Sequence, residues 1–183
     1  SGADVVYTNT FGANRFKYNN LGEIIDAAIQ NAKAANSRFV ALDIGPLGKI
    51  VGDGGISFDE AYDAFKEIVL LAKDRTDYIA IETMTNLTEA RAAVLAAKEN
   101  SSLPVTVTMS FDKGGRTFFG VDAAAFATVM DSLGVDALGA NCSVGPNEMA
   151  DIAKTFLAST DLPVIIKPNA GMPKSVNGKT VYD

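Results

Sequence analysis

Apolar residues fall along this chain in two alternating textures. Six short runs are rich in Val, Ile and Ala: Asp4–Thr8, Phe39–Ile44, Tyr78–Glu82, Val105–Met109, Ala137–Cys142 and Val164–Lys167. None alternates cleanly between polar and apolar positions, so each predicts a strand buried on both faces, as in a parallel sheet. Between the runs, apolar residues recur at helical spacing. Ile24, Ile25, Ala28, Ile29 and Ala32 share one stripe, and Ala61, Phe65, Ile68 and Val69 another. Ala90, Ala93, Val94 and Ala97 make a third; Ala125, Phe126, Val129 and Met130 a fourth; Met149, Ile152, Ala153 and Phe156 a fifth. Start signals agree: Ser57 with Glu60 and Asn86 with Glu89 read as capping boxes, and Pro146 as a first-turn proline. Gly134, Leu103-Pro104 and Leu162-Pro163 mark re-entries into strands.

The resulting order, β-α-β-α-β-α-β-α-β-α-β, predicts an α/β fold with a parallel sheet and right-handed crossovers. Units of about 30 residues suit either a doubly wound sheet or a (β/α)8 TIM barrel. No G-x-G-x-x-G follows the first strand and no P-loop pattern occurs, which weighs against a nucleotide-type doubly wound sheet. Polar residues cluster at or just past strand C-termini: Asn9, Asp43, Glu82, Ser110, Asn141-Cys142 and Lys167-Pro168-Asn169. That is the face on which barrels build active sites. A closed barrel takes eight units and about 250 residues. The reading is therefore a single domain over residues 1–183, an incomplete barrel of about six β/α units, two short of closure. Its two open edges, Asp4–Thr8 and Val164–Lys167, predict self-association.

Composition narrows the function. The 183 residues are 48% hydrophobic and 21% charged with a net charge of −6, an ordinary globular balance that offers no cationic footprint for nucleic acid. No apolar run approaches the roughly 20 residues that span a bilayer, and Ser1-Gly2-Ala3-Asp4 leads into a strand, not a secretory leader. One cysteine forms no internal disulfide and fits a reducing, cytoplasmic compartment. Histidine is absent, so any chemistry falls to Cys, Asp, Glu, Asn, Lys, Tyr, Ser or Thr.

Cys142 is the first candidate. A lone cysteine is ordinarily a small buried hydrophobe, but this one ends a strand, and Ser143-Val144-Gly145-Pro146 leads on to a helix N-terminus that favours a thiolate. Zinc needs three or four ligands, so one thiolate is not a site. Glu82 follows an apolar run; it either pairs with a rim Lys or Arg, or receives a substrate ammonium or acts as base, with Thr83 and Thr85 adding hydroxyls. Lys167 is a Schiff-base nucleophile of an aldolase-type barrel, with Glu82 as base, or a rim cation pairing with Glu82 or Asp43. Asn9 and Asp43 are weaker candidates, since such residues often only satisfy turn backbone. Gly52-Asp53-Gly54-Gly55 reads as a mobile loop, and the aromatics Phe11, Phe16, Phe118 and Phe119 as packing.

Taken in register, Thr8-Asn9-Thr10-Phe11-Gly12-Ala13-Asn14, Asp43-Ile44-Gly45-Pro46, Ile81-Glu82-Thr83-Met84-Thr85, Gly139-Ala140-Asn141-Cys142-Ser143 and Lys167-Pro168-Asn169-Ala170-Gly171 resemble the homocysteine S-methyltransferase family, closest to its cobalamin-dependent branch. The resemblance implies a (β/α)8 barrel holding one zinc through three cysteines. Cys142 is the first of these; the other two belong to a Gly-Gly-Cys-Cys motif after the last strand, which this chain does not contain, nor does it contain the family's first strand with its Asp-Gly motif. The resemblance further implies that Glu82 binds the homocysteine amino group. It makes Asn169 an occupant of the fourth zinc position before substrate displaces it, and gives Asn141 a role in orienting the site. Asn9, Asp43 and Thr83 complete the expected substrate-binding set. The methyl donor would be methylcobalamin on a separate domain, with betaine or S-methylmethionine in other branches. With one cysteine the chain alone is expected to bind zinc poorly and to be inactive. The remaining alternatives are the Schiff-base enzyme and a non-catalytic barrel fragment.

Overall fold

The computed structural model describes residues 2–52, 54–171 and 173–182. Its elements run β1 (Val5–Tyr7), α1 (Leu21–Ala34), β2 (Phe39–Ile44), α2 (Phe58–Ala72), β3 (Tyr78–Met84), α3 (Leu87–Asn100), β4 (Val105–Met109), α4 (Ala123–Ser132), β5 (Ala137–Asn141), α5 (Pro146–Leu157), β6 (Val164–Lys167), β7 (Pro173–Val176) and β8 (Lys179–Tyr182). The first six strands form one sheet in the order β1-β2-β3-β4-β5-β6, with every neighbouring pair parallel. A doubly wound sheet reverses its order partway; here each strand is laid beside the last, as in a barrel.

The sheet is curled. Laid flat, six strands would hold β1 and β6 about 24 Å apart. Yet Lys167, ending β6, places Nζ 3.4 Å from the hydroxyl of Tyr7, ending β1. The edges thus curve toward each other around a concave face, which makes the sheet part of a barrel wall.

The two faces of the wall differ in chemistry. Leu42, Ile44, Ile79, Ile81, Val105, Val107, Leu138 and Ala140 point outward into one buried cluster with Ile25, Phe65, Val94, Phe126 and Phe156 of the helices. The residues between them alternate to the concave face: Ala41 and Asp43, Ala80 and Glu82, Thr106 and Thr108, Gly139 and Asn141. The central strands are buried on both faces, as their lack of a clean polar–apolar alternation predicts, and the two faces differ in finer ways. The alternation is one of size and polarity, and Ala, Gly and Thr hide it from a simple apolar count. The edge strands β1 and β6 are also only partly buried, because each lacks a neighbour on one side.

Local signals explain the helices. Ser57 accepts from Glu60 N at 3.1 Å while Glu60 accepts from Ser57 N at 2.8 Å, the capping box expected. Asn86 caps α3 through Thr88 N and Glu89 N. Glu89, however, does not reach back to close a second box; it is buried and accepts from Leu47 N at 2.8 Å, pinning the loop after β2. Burial pushes its carboxyl above the ordinary range and the Leu47 N–H partly opposes that. Phe111, Phe126 and Phe156 pack edge to face, with centroids 5.8–6.2 Å apart, where α4 and α5 meet the sheet.

The hairpin β7-β8 is an element the strand and helix patterns did not anticipate. Its turn is Asn177-Gly178 with φ of 52° and 74°, the two left-handed residues that a tight hairpin requires. All of its described residues are exposed. The glycine-rich loop is a closed turn: Gly52 N donates to Ile56 O at 3.0 Å and Gly55 N to Gly52 O at 2.8 Å. Asp53 of that loop, and Asp183 at the end, lie outside the described residues.

Candidate functional site

The ends of β3, β4 and β5 meet at one side chain. Asn141 closes β5 and is buried, 3% exposed. Its Oδ1 accepts from Thr83 N and from Thr108 Oγ1, both at 2.9 Å. Its Nδ2 donates to Thr83 Oγ1 at 2.7 Å and to Cys142 Sγ at 3.4 Å. Ser110 Oγ, past β4, donates to the Asn141 carbonyl at 2.9 Å. The amide's two lone pairs and two protons are all engaged, which fixes its orientation and ties the strand carrying Glu82 to the strand carrying Cys142.

The backbone at this junction is held in unusual conformations. The β3-β4 register shifts between Ile81 and Met84, a bulge that re-aims Glu82 and Thr83. Thr83 has φ 59°, Cys142 φ 60° and Ser143 φ 63°. Left-handed backbone at a β-branched residue such as Thr is rare and costs of order 1–3 kcal/mol. The Asn141 amide holds Thr83 in place where the ladder hydrogen bond is lost.

Cys142 is half-buried and free. Its Sγ lies 3.9 Å from Thr83 Oγ1. The thiol is thus neither sealed in hydrocarbon nor remote from Glu82, whose chain neighbour it touches. A short backbone zipper links its turn to the segment carrying Asn169: Cys142 N donates to Lys167 O at 3.1 Å, Val144 N to Cys142 O at 2.7 Å, and Asn169 N to Val144 O at 3.0 Å. A groove lined by Thr85, Ser110, Phe111, Thr117 and Ser143 opens next to this turn.

Glu82 and Lys167 form an ion pair across the concave face, Nζ to Oε2 2.5 Å. The rim pair, one of the readings open for each residue, is present. Lys167 Nζ also stands over the Tyr7 ring, 4.9 Å from its centroid. Tyr7 packs edge to face on Tyr78 at 6.4 Å. Both phenols are pushed above their ordinary values, chiefly by burial.

Asp43 sits deeper, 5% exposed, and its Oδ1 has no hydrogen-bond partner. Burial, and then the Glu82 charge, push its carboxyl up to about 6, against the opposing pull of Lys167 and the Phe11 N–H. Its backbone is fixed by Thr8 and Thr10: Thr8 Oγ1 accepts from Asp43 N at 3.0 Å and Thr10 Oγ1 donates to Asp43 O at 2.7 Å. Asn9 is exposed, with φ 57°. It lines an open groove between β1 and α1 with Ile24 and Ala28, and has no bond to the Asn141 network. Ser110 was among the strand-end polar residues of the sequence; Thr108, Tyr7 and Tyr78 were not. Alternation was the available signal for two of these, since Thr108 stands two positions before Ser110 on one face and Tyr78 four before Glu82.

The donor set for a metal is partial. Cys142 offers one thiolate and Asn169 one amide, fewer than the three or four donors zinc requires. Among the described residues no group of three or more His, Cys, Asp or Glu converges. Also among them, no helix is long and apolar enough to cross a membrane.

A singly wound β/α wall with a thiol, a carboxylate and an ammonium at its C-terminal rim defines a barrel protein with an active-site-like mouth. The homocysteine S-methyltransferase family matches this chain along residues 1–183. The chain belongs to that family. It is 31% identical to methionine synthase of Mycobacterium tuberculosis over 196 aligned positions, and 30% identical to that of Mycobacterium leprae. Each alignment covers 94% of this chain and 16% of the relative, so the chain spans about a sixth of those proteins. Among solved structures, it resembles the metallated form of the homocysteine methyltransferase MmuM from Escherichia coli, with a TM-score of 0.78 at 20% identity over 93% of this chain and 68% of that one. The oxidized form of MmuM gives 0.70 at 21% identity, over 92% and 66%. At such identities the likeness speaks for the fold.

Proposed function

We propose that residues 1–183 form the homocysteine-binding part of a methyltransferase barrel that makes methionine, lacking the first and last strands of a closed eight-strand wall. Glu82 receives the substrate ammonium. Thr83 and Asn141 hold the rim in shape, and Asp43 shapes the floor. Cys142, with Asn169, contributes to a zinc site whose remaining thiolates come from outside these residues. Zinc, when bound, would supply the Lewis acidity that lets a substrate thiol release its proton to solvent at neutral pH. The chain's own residues position the sulfur: Asn141 Nδ2 points an N–H at Cys142 Sγ, which suits a sulfur carrying negative charge. In the transfer, the substrate sulfur's lone pair forms the new bond to the methyl carbon. The donor keeps the electron pair of the bond that breaks. Likeness to methionine synthase favours methylcobalamin on a separate domain as that donor, and a cytoplasmic setting.

The observation that carries this reading is the Asn141 amide, which joins Thr83 beside Glu82 to Cys142 in one saturated network. A Schiff-base role for Lys167 fares worse, because an amine nucleophile needs desolvation or a cationic neighbour, and this one contacts a carboxylate at 2.5 Å. The test is Cys142→Ala in the intact, zinc-loaded protein. Loss of metal, read by elemental analysis, together with loss of methionine formation is expected. Full metal content and wild-type methylation in the variant would refute the assignment. The 183 residues alone are expected to hold zinc weakly, to make no methionine, and to associate through β1 and β6.

A further inference from the structure

We propose that Glu82 and Lys167 recognise the whole zwitterion of the amino-acid substrate by exchanging partners: Glu82 passes from Lys167 to the substrate ammonium, and Lys167 to the substrate carboxylate. This rests on the homocysteine reading above and adds a residue and a specificity to it. The two charges stand 2.5 Å apart. Their side chains are 20% and 40% exposed, so the pair is open to exchange. An incoming α-amino acid is itself an ammonium and a carboxylate on one carbon. Binding by exchange replaces one ion pair with two and leaves the net charge of the half-buried mouth unchanged, so no charge is stranded there.

The location suits the substrate's third group. Asn141 pairs with Lys167 across β5 and β6, and Cys142 N donates to Lys167 O. The root of the lysine is therefore fixed at the cysteine while its head lies on Glu82. A thiol tail near Cys142 leaves its α-carbon between the two charged heads. The Tyr7 ring and hydroxyl, at 4.9 and 3.4 Å from Nζ, give the ammonium a second contact that can stay in place while its carboxylate partner changes.

The rival outcome is that Lys167 only competes with the substrate ammonium for Glu82. A ratio separates the two. Homocysteine and aminopropanethiol, its decarboxylated analogue, carry the same thiol and ammonium, so simple competition affects both equally. Dissociation constants for both are measured calorimetrically on the intact, zinc-loaded protein and on Lys167→Met and Lys167→Arg. Exchange predicts that the wild type favours homocysteine roughly tenfold to a hundredfold, the range for one charge-assisted hydrogen bond. It predicts that K167M brings this ratio close to one and K167R restores most of it. A wild-type ratio near one overturns the proposal without any variant, even if K167M does not fold. So does a K167M protein in which both thiols bind more tightly and the ratio is kept. If neither thiol binds the wild type, the homocysteine assignment itself fails, and the exchange with it.

Discussion

Replacing Asp43 by asparagine should make this protein more stable at neutral pH, although it removes a native buried carboxylate. Asp43 is 5% exposed with one oxygen unpartnered, and its pKa is raised from the ordinary 3.8 to about 6. The first cause is desolvation and the second is the Glu82 charge; Lys167 and the Phe11 N–H offset part of both. Because the folded value lies above the unfolded one, the folded chain keeps a proton between about pH 4 and 6 that the unfolded chain has released. Stability from this group therefore falls as pH rises through that window. The displacement corresponds to about 3 kcal/mol lost by pH 7. A neutral amide at this position carries no such charge, so D43N is expected to exceed the wild type at pH 7 by up to about 3 kcal/mol, or roughly 6–12 °C in melting temperature for a chain of this length. The gain should vanish near pH 4. Urea denaturation of both proteins at several pH values from 4 to 7 measures it directly. A D43N protein less stable than wild type at pH 7, or offset by the same amount at every pH, would refute the reasoning. If the stabilised variant also binds homocysteine more weakly, Asp43 is a residue kept for function at a cost in stability.

Two further perturbations address the hub and its wall. Asn141→Ala leaves Thr83 N and Thr108 Oγ1 without their acceptor, and is expected to cost about 2–3 kcal/mol in chemical denaturation; a loss below about 0.5 kcal/mol would mean that the amide holds nothing. Gly139→Ala would place a Cβ 1.8 Å from the Ile165 carbonyl oxygen. β6 must then shift away from β5, at about 1–3 kcal/mol, and amide exchange in Val164–Lys167 should quicken while that in β2 does not.

The parts legible in the sequence are those specified by nearby residues. Five helices and six strands announced themselves because each is set by its own apolar stripe, cap or proline: Ser57 with Glu60 is a capping box in both readings. Asn177-Gly178 was equally local, a hairpin signal between Ser175-Val176 and Lys179-Thr180, but its flanking strands are four residues each and wholly exposed, so no apolar run marks them. What no local pattern could give is anything fixed at long range. Glu89 looks like the closing half of a capping box, yet it is claimed by Leu47 N from another loop. The Glu82–Lys167 contact was one of the alternatives open for each residue, but it joins non-adjacent strands and exists only because the sheet curls, so no local pattern could choose it.

The same division between local and distant control shows in the backbone of the rim. Six residues other than glycine adopt left-handed φ among those described: Asn9, Asn36, Thr83, Cys142, Ser143 and Asn177. Three are asparagines in turns or loops, where the short amide makes that conformation cheap, and a reader of sequence could have expected them. Thr83, Cys142 and Ser143 are different. Glycine would relieve the strain at each, yet each keeps a side chain, and Thr83 and Cys142 direct theirs at each other across 3.9 Å. Their cost is met by hydrogen bonds from elsewhere in the chain, Asn141 Oδ1 for Thr83 and the Lys167 carbonyl for Cys142. Strain retained where glycine would remove it, and placed where a carboxylate strand faces a thiol strand, is what a rim shaped to grip a ligand requires and a purely structural wall does not.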